Sequence, residues 1–504
     1  MLHGRKRPLD CRDLRGERGA VAARRVRLVV TVVRNAGWLL AGRIVADALG
    51  LLFYLALARR FGEAGLGDFA FAFALAAVSG LLVRFGFDAF LTREVARSSS
   101  LSLARPVLRL QSWLALLGAA GLAGASLIAG WSGPILWLIA LAYAHVALMA
   151  MARTFVAHLQ ATERMASSAA AEVAARTTLV TVGLLLLAAG ASLPVVTGAY
   201  VLGGATYLLL AGILTREAFK AEGRLPVSRS ATALIRAALP FAVAVGLYEL
   251  YSRADLILLH MLRGEIETGR YAAAWKLVTV PLFVPSLLGV SIYPMLSREG
   301  SGKSSEIRAA YALFVKWMVL LGGTGGALLL VSGDGAFRFL YGADFENAAH
   351  LVRWMAPLFF VEFAKVPYWR LLFATDRERT VLVAQGSAVL LNIVLNVVLI
   401  PRHGAIGAVW ASLLSQGLEY VALVRLAGRE LPDGLGSRAF QMAFVLLVGI
   451  AVGLALRPVT PWWVSAPVTA ATILGVAAVS GLARPGELGA LRGAPGFPGS
   501  RPEA

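Results

Sequence analysis

The chain is poor in three things. Among 504 residues there is one cysteine, Cys11, there are six histidines, and charged residues make up only 15%. A single cysteine excludes an intramolecular disulfide. The histidines are scattered, with no His-Glu-x-x-His and no cysteine cluster, so neither a metal centre nor a cofactor is expected. Soluble domains carry about 25% charged residues. The deficit here is matched by 58% apolar residues before 52 glycines are counted, and mean hydropathy is +0.72. A bilayer span takes about 20 residues, and about fourteen apolar stretches of that length can be marked. What remains averages about 15 residues per connection or tail once those spans are removed. No extramembrane domain fits, which argues against a soluble enzyme, a nucleic-acid-binding module and a single-span receptor.

Acidic residues are scarce too: 29 Asp and Glu stand against 48 Lys and Arg, a net charge of +19. In a soluble protein that balance would suggest nucleic acid; in a membrane protein it reflects cytoplasmic loops enriched in Lys and Arg. With the N-terminus inside, roughly 35 basic residues fall on the cytoplasmic side and about 7 outside, so both termini are expected in the cytoplasm. The expected location is the cytoplasmic (inner) membrane, with the phospholipid bilayer as partner and no nucleic acid. The resulting organisation is a basic cytoplasmic tail (1–34), helices 1–6 (35–230), helices 7–12 (231–430), helices 13–14 (431–483) and a cytoplasmic C-terminal tail (484–504). The first tail lacks a clean apolar core with a cleavage site, which reads as an extension and not a secretory signal. Its Val21–Val33 stretch could also lie along the membrane surface.

An internal repeat is present. Gly62-Glu63-Ala64-Gly65-Leu66-Gly67-Asp68-Phe69-Ala70-Phe71-Ala72 recurs 202 residues later as Gly264-Glu265-Ile266-Glu267-Thr268-Gly269-Arg270-Tyr271-Ala272-Ala273-Ala274. Each copy falls between the first and second spans of a six-span block, and Thr92-Arg93-Glu94 and Ser297-Arg298-Glu299 close those second spans. Six spans is an even number, so the halves share an orientation and relate by an axis along the membrane normal. The fold class expected is an all-α polytopic membrane protein: two six-helix lobes plus two C-terminal helices.

Charges inside spans cost about 2.5–3.5 kcal/mol each on insertion scales. The leading span of the first half carries Arg43 and Asp47; that of the second carries Glu249, Arg253 and Asp255. Lys276, Glu362, Lys365 and Glu419 lie in later spans. Arg43/Asp47, Arg84/Asp88 and Glu249/Arg253 are i,i+4 and Glu362/Lys365 is i,i+3, so mutual neutralisation on one helix face is the plain alternative. Asp255 and Lys276 have no partner at such spacing. The functional reading is a central cavity in which Arg43, Arg253 and Lys276 face an anionic substrate, since guanidinium grips phosphate bidentately and lysine adds a point charge. Asp47, Glu249 and Asp255 are the candidates for coupling to an ion.

Other motifs weigh less. Pro240, Pro281, Pro285 and Pro294 kink cavity-lining helices or are ordinary transmembrane prolines. Gly322–Gly326 suits close helix packing. Gly302-Lys303-Ser304 misses a phosphate loop, because the required earlier glycine is Ser297. Tyr248, Tyr251, Trp275, Tyr368 and Trp369 suit interface anchoring better than sugar stacking.

Asn35–Ala96, with Trp38 through Arg43, Gly62 through Ala70 and Leu91-Thr92-Arg93-Glu94, resembles the N-terminal region of bacterial polysaccharide flippases. Arg253-Ala254-Asp255 with Gly269 through Ala272 is similar to the start of that family's second half. Asn392 through Pro401 with Gly404 through Ala408 is similar to its eleventh and twelfth helices. The resemblance covers about residues 35–430 and implies membership of the multidrug/oligosaccharidyl-lipid/polysaccharide transporter superfamily. It further implies alternating access and an undecaprenyl-pyrophosphate-linked oligosaccharide moved from inner to outer leaflet, with polysaccharide polymerases as partners. Under it, Arg43, Arg253 and Lys276 are the substrate-binding cations, and no catalytic residue is expected. Two alternatives stand beside it: a multidrug/cation antiporter of the same architecture, and a membrane glycan polymerase or glycosyltransferase. The latter would need a sizeable outer loop, and the longest expected, around Ser332–Ala348, is short and lacks an Asp-x-Asp pair. Spans 13 and 14 are expected to line a groove for the polyprenyl tail through Gly449 and Gly453, or to pack as a scaffold.

Overall fold

The computed structural model describes residues 11–98, 103–222, 230–286, 288–289, 296, 305–428 and 435–482. All regular structure among them is helical. The helices are α1 (Cys11–Ser79), α2 (Leu81–Arg84), α3 (Phe87–Ser98), α4 (Ala104–Ile128), α5 (Pro134–Ala161), α6 (Met165–Ala188), α7 (Leu193–Leu214) and α8 (Arg216–Glu222). The second half holds α9 (Ala231–Arg263), α10 (Glu265–Thr279), α11 (Ser305–Tyr341), α12 (Ala349–Ala374) and α13 (Glu378–Ala427). Helices α14 (Leu435–Leu456) and α15 (Trp462–Val479) complete the chain. Ser297-Arg298-Glu299, Gly302-Lys303-Ser304, Pro294, residues 1–10 and the C-terminal tail lie outside the described residues.

Nine helices are long and apolar enough to cross a bilayer among the described residues. Two of these are of double length. The rings of Tyr54 and Phe69 are 6.4 Å apart, whereas fifteen residues of straight helix would separate them by about 22 Å. The chain therefore folds back inside α1. It does so at Gly62, whose φ of 67° and ψ of −168° belong to glycine's range. In α13 the same is done by Gly404, and Asn392 can then reach Ser412 at 3.4 Å. The other expected spans fall on α10, α12 and α14, where length or charge falls short: a 3₁₀ turn follows α10 at Val280–Leu282, and α12 carries Arg353, Glu362, Lys365 and Arg370. The chain is a multi-pass membrane protein. Helix α1 already begins at Cys11, so residues 21–33 continue into the first span.

The duplication is visible in the backbone. Gly62 and Gly264, 202 residues apart, share a positive φ with extended ψ. Gly67 and Gly269 lie where the two halves cross. A Cβ on Gly67 would stand 1.8 Å from the carbonyl oxygen of Glu265, and one on Gly269 1.8 Å from that of Glu63. Small residues permit this approach. Around the crossing, Arg270 pairs with Glu63 at 2.8 Å, and Arg59 donates to the carbonyls of Phe339 and Leu340. One apolar cluster joins Phe53, Leu57, Leu66 and Phe69 to Tyr271, Phe337 and Tyr341. The halves also touch at the opposite end of α9, where Gly86 abuts Phe241 and the Arg93 guanidinium sits 5.0 Å above its ring.

On this fold one expectation changes and one open alternative is decided. The segment 332–348 is not a free loop: α11 runs to Tyr341 and a 3₁₀ turn covers Ala343–Ala348. Gly449 and Gly453 do not face a groove. A Cβ on Gly449 would meet Ile473 at 2.1 Å, and one on Gly453 would meet Thr469 at 2.3 Å and Val331 at 2.8 Å. They pack α14 against α15 and α11, as a scaffold requires. Arg457 and Arg353 both pair with Asp334, at 2.6 and 3.1 Å, and Ser332 hydrogen-bonds Ser465. Gly322, Gly325 and Gly326 do pack helices, against Phe363, Phe359 and Ala356 of α12.

Candidate functional site

Between the two contacts the halves present charged side chains to one another. Arg43 on α1 binds Asp47 one turn on at 2.8 Å and reaches Glu172 of α6 at 3.8 Å, with its side chain still 59% exposed. Tyr248 of α9 is within its electrostatic reach. Arg253 on α9 lies 3.6 Å from Glu249 and is 40% exposed. Lys276 on α10 holds its ammonium 5.0 Å from the Tyr54 ring centre, a cation–π contact. Arg176, Arg253, Asp47 and Arg43 all lie within electrostatic reach of Lys276. The structure thus brings the three expected cations, which come from α1, α9 and α10, into one region.

It adds residues that sequence reasoning passes over. Arg176 on α6 would be 3.5 Å from a Cβ on Gly50, so it faces α1 about two turns beyond Arg43. Glu172 and Arg176 are spaced i,i+4 at the start of the fifth span, and that spacing is the available signal. A second string of charges links the halves: Arg153 to Asp88 at 3.7 Å, Asp88 to Arg84 at 3.0 Å, Arg84 to Glu249 at 3.5 Å. Glu249 therefore serves two arginines, Arg84 and Arg253. All four pairs expected from spacing are formed, three of them within one helix and Arg84–Asp88 across the break between α2 and α3, and Glu362–Lys365 measures 3.1 Å.

Asp255 stands apart from the other two candidate acids. It is buried, and its carboxylate accepts hydrogen bonds from Tyr271 Oη at 2.7 Å, Asn396 Nδ2 at 2.6 Å and the Ser412 hydroxyl. Asn392 Oδ1 accepts from Asn396 at 3.0 Å, and Asn396 Oδ1 itself is buried without a hydrogen-bond partner. These donors come from α10 and both limbs of α13. Three donors fix a buried carboxylate in place and offset part of the cost of removing it from water. Among the described residues no three His, Cys, Asp or Glu side chains gather as a metal cluster. The pentad of aromatics divides: Tyr248 is exposed, Tyr271 stacks on Trp275, and Tyr251 and Tyr368 are turned inward toward Lys365 and Tyr420.

Two duplicated halves that cross at paired glycines, with charged side chains between them, have the architecture of a membrane transporter built from repeats. The fold matches the lipid II flippase MurJ in an inward closed conformation, with a TM-score of 0.68 at 14% identity, over 87% of this chain and 98% of that one. It also matches a ligand complex of the MATE multidrug transporter DinF-BH, with a TM-score of 0.59 at 14% identity, over 79% and 95%. The family profile described as polysaccharide biosynthesis protein covers residues 32–299, more than half of the chain, and the chain belongs to that family. A second profile, MatE, matches residues 240–398. Two curated relatives come from Haloferax volcanii. The probable low-salt glycan biosynthesis flippase Agl15 is 24% identical over 166 residues, and the probable flippase AglR 29% identical over 220 residues. Those matches take in 33% and 42% of this chain and span 35% and 45% of the two relatives' lengths. The proteins it resembles are flippases and transporters, not enzymes.

Proposed function

We propose that the protein is a flippase that turns an undecaprenyl-pyrophosphate-linked oligosaccharide from the inner to the outer leaflet of the cytoplasmic membrane by alternating access, for cell-surface polysaccharide biosynthesis. The observation that carries this reading is the set of basic side chains along α1 and the facing helices: Arg43 on α1, Arg176 against Gly50 of α1, Lys276 over Tyr54 of α1, and Arg253 on α9 within electrostatic reach of Lys276. Guanidinium groups match phosphate oxygens bidentately. The acids nearby, Asp47, Glu172 and Glu249, each lie on an arginine, so the region is cation-dominated. A drug-cation antiporter would need those carboxylates free. Orientation helps: with both termini cytoplasmic, a headgroup carrying two negative charges moves outward with the potential, gaining about 2.3 kcal/mol per charge per 100 mV.

In this reading the lobes are 35–230 and 231–430, and a polysaccharide polymerase receives the flipped product. Asp255 is the coupling-ion group. It is buried among oxygen-bearing side chains, whereas Asp47 and Glu249 are engaged by arginine. The test is glycan export by Arg43→Ala, Arg253→Ala and the double variant, with the amount of membrane-inserted protein measured alongside. Export is lost in the double variant while insertion is kept. Lysine at either position restores it only in part, because a point charge replaces a planar fork. Normal export by a stably inserted double alanine variant refutes the cationic site.

A further inference from the structure

The C-terminal half encloses a second ionisable centre that the cationic site does not use. Glu362 and Lys365 lie one turn apart on α12, and Glu419 faces them from the second limb of α13. Lys365 Nζ is 3.1 Å from Glu362 Oε2, donates to Gln416 Oε1 at 3.2 Å and is 3.6 Å from Glu419 Oε2. From α9, Tyr251 brings its ring to 5.9 Å from Nζ. From α10, the ionisable group is Tyr271, and its hydroxyl is committed to Asp255. Glu419 is 3% exposed, and its Oε2 has no hydrogen-bond partner.

The centre holds two carboxylates and one ammonium. Its net charge of one negative lies in a place where a bare charge is costly. The ammonium directs its close contacts to Glu362 and Gln416, so Glu419 is the carboxylate left under-compensated. We propose that Glu419 is a reversible proton-binding site, and that its occupant is a proton and not a metal cation. A metal ion on Oε2 would have to sit beside the Lys365 ammonium, against like charge. A proton on Oε2 neutralises the cluster and leaves each of these neighbours in place. The centre adjoins Asp255 through shared hydroxyls: Tyr251 Oη is 3.4 Å from Ser415 Oγ, which accepts from Asn392 Nδ2 at 3.4 Å, and Asn392 in turn bonds Asn396 on Asp255. Proton occupancy at Glu419 is thereby placed to bias the Asp255 network during transport, a role that rests on the proposed function.

The experiment is pH-difference infrared spectroscopy on the purified full-length protein in lipid, which reads protonated carboxyl groups directly and needs no transport. The expected result is a carboxyl C=O band that titrates reversibly, is lost in Glu419→Gln and persists at a shifted frequency in Glu419→Asp. Monodisperse elution of each variant establishes folding. Survival of that same band in a folded Glu419→Gln variant overturns the proposal, as does the lack of any titrating band in the parent. So does a band removed by sodium chloride at constant pH, which would make the occupant a metal cation. Because the readout is spectroscopic, failure of glycan transport leaves this result standing, and the reverse holds too.

Discussion

Alanine at Gly67 tests how the two halves close against each other. The ideal Cβ would lie 1.8 Å from Glu265 O and 2.7 Å from its carbonyl carbon, both backbone atoms that no rotamer change can remove. Relief to about 3.0 Å needs the helices to part by about 1.2 Å, and overpacking of this kind costs about 1–3 kcal/mol. The cost falls only on the state in which these ends touch. At 1.4 kcal/mol per factor of ten, the closed population drops by roughly 5- to 150-fold relative to states with this end open. The assay is labelling of Ala273→Cys, a buried position one turn beyond Gly269, by a membrane-impermeant maleimide in a Cys11→Ser background. Labelling should accelerate by about one to two orders of magnitude in Gly67→Ala, and again in Gly269→Ala, whose Cβ meets Glu63 O symmetrically. Gly124→Ala, with nothing within 4 Å of its Cβ, should leave the rate unchanged. Unchanged labelling in a stably folded Gly67→Ala variant would refute the claim that this crossing closes the end.

Three further outcomes follow from the packing. Gly449→Leu should lower the thermal unfolding temperature in detergent by a change worth about 1–3 kcal/mol, because Ile473 occupies the space; unimpaired stability would restore the groove reading. Asp255→Asn should cost about 1–3 kcal/mol of stability, since an amide offers one acceptor to three donors and sets its own N–H groups against Asn396. An unfolding temperature equal to the parent's would count against that network. Raising ionic strength from 0.1 to 1 M shortens the Debye length from about 10 to about 3 Å. Labelling of Ala238→Cys, buried with Phe87 and Phe90 at the α3–α9 contact that the partly exposed Arg84–Glu249 pair helps to hold, should then rise several-fold while labelling of Ala273→Cys stays constant. Equal responses at the two positions would contradict the distinction between these contacts.

Much of the fold is legible because bilayer physics writes it locally. Span length, charge pairs at i,i+4 and the repeated Gly-Glu segment are all properties of neighbouring residues, and each reappears in the structure. What stays hidden is relational. The repeated segment marks Gly67 and Gly269 as equivalent, but only the assembled halves show that each meets the other copy's carbonyl. Asp255 has no partner at helical spacing, because its donors come from residues 16, 141 and 157 positions away. Arg176 escapes a sequence reading because it sits at a span's start, where a basic residue usually marks the membrane edge. Residues 332–348 read as a loop because Ser332, Gly333, Asp334 and Gly335 break the apolar pattern. Packing explains them: Ser332 meets Ser465, Gly335 meets Trp462, and Asp334 holds two arginines.

The two ends of the central region share a glycine-on-backbone contact but differ in the side chains around it, and that difference bears on how a transporter of this kind could cycle. At the Gly62/Gly264 end the contact is backbone on backbone, reinforced by a Glu63–Arg270 pair whose carboxylate is largely buried. Dispersion at that range is lost within about an ångström of separation, so a small parting of the halves releases this contact. At the Phe241 end Gly86 likewise abuts backbone, that of Phe241 and Ala242, but long side chains extend the contact, with Arg93 over the Phe241 ring and Arg84 shared between Asp88 and Glu249. Such groups can follow a moving partner and exchange it for water or for an anionic ligand at small cost. Arg84 and Arg253 also meet on Glu249, the residue that ties the side-chain closure to the cationic site. Under the proposed function, an anion that draws Arg253 away from Glu249 therefore alters the charge balance at Arg84, which gives ligand binding a direct electrostatic route to the charged part of the Phe241-end contact.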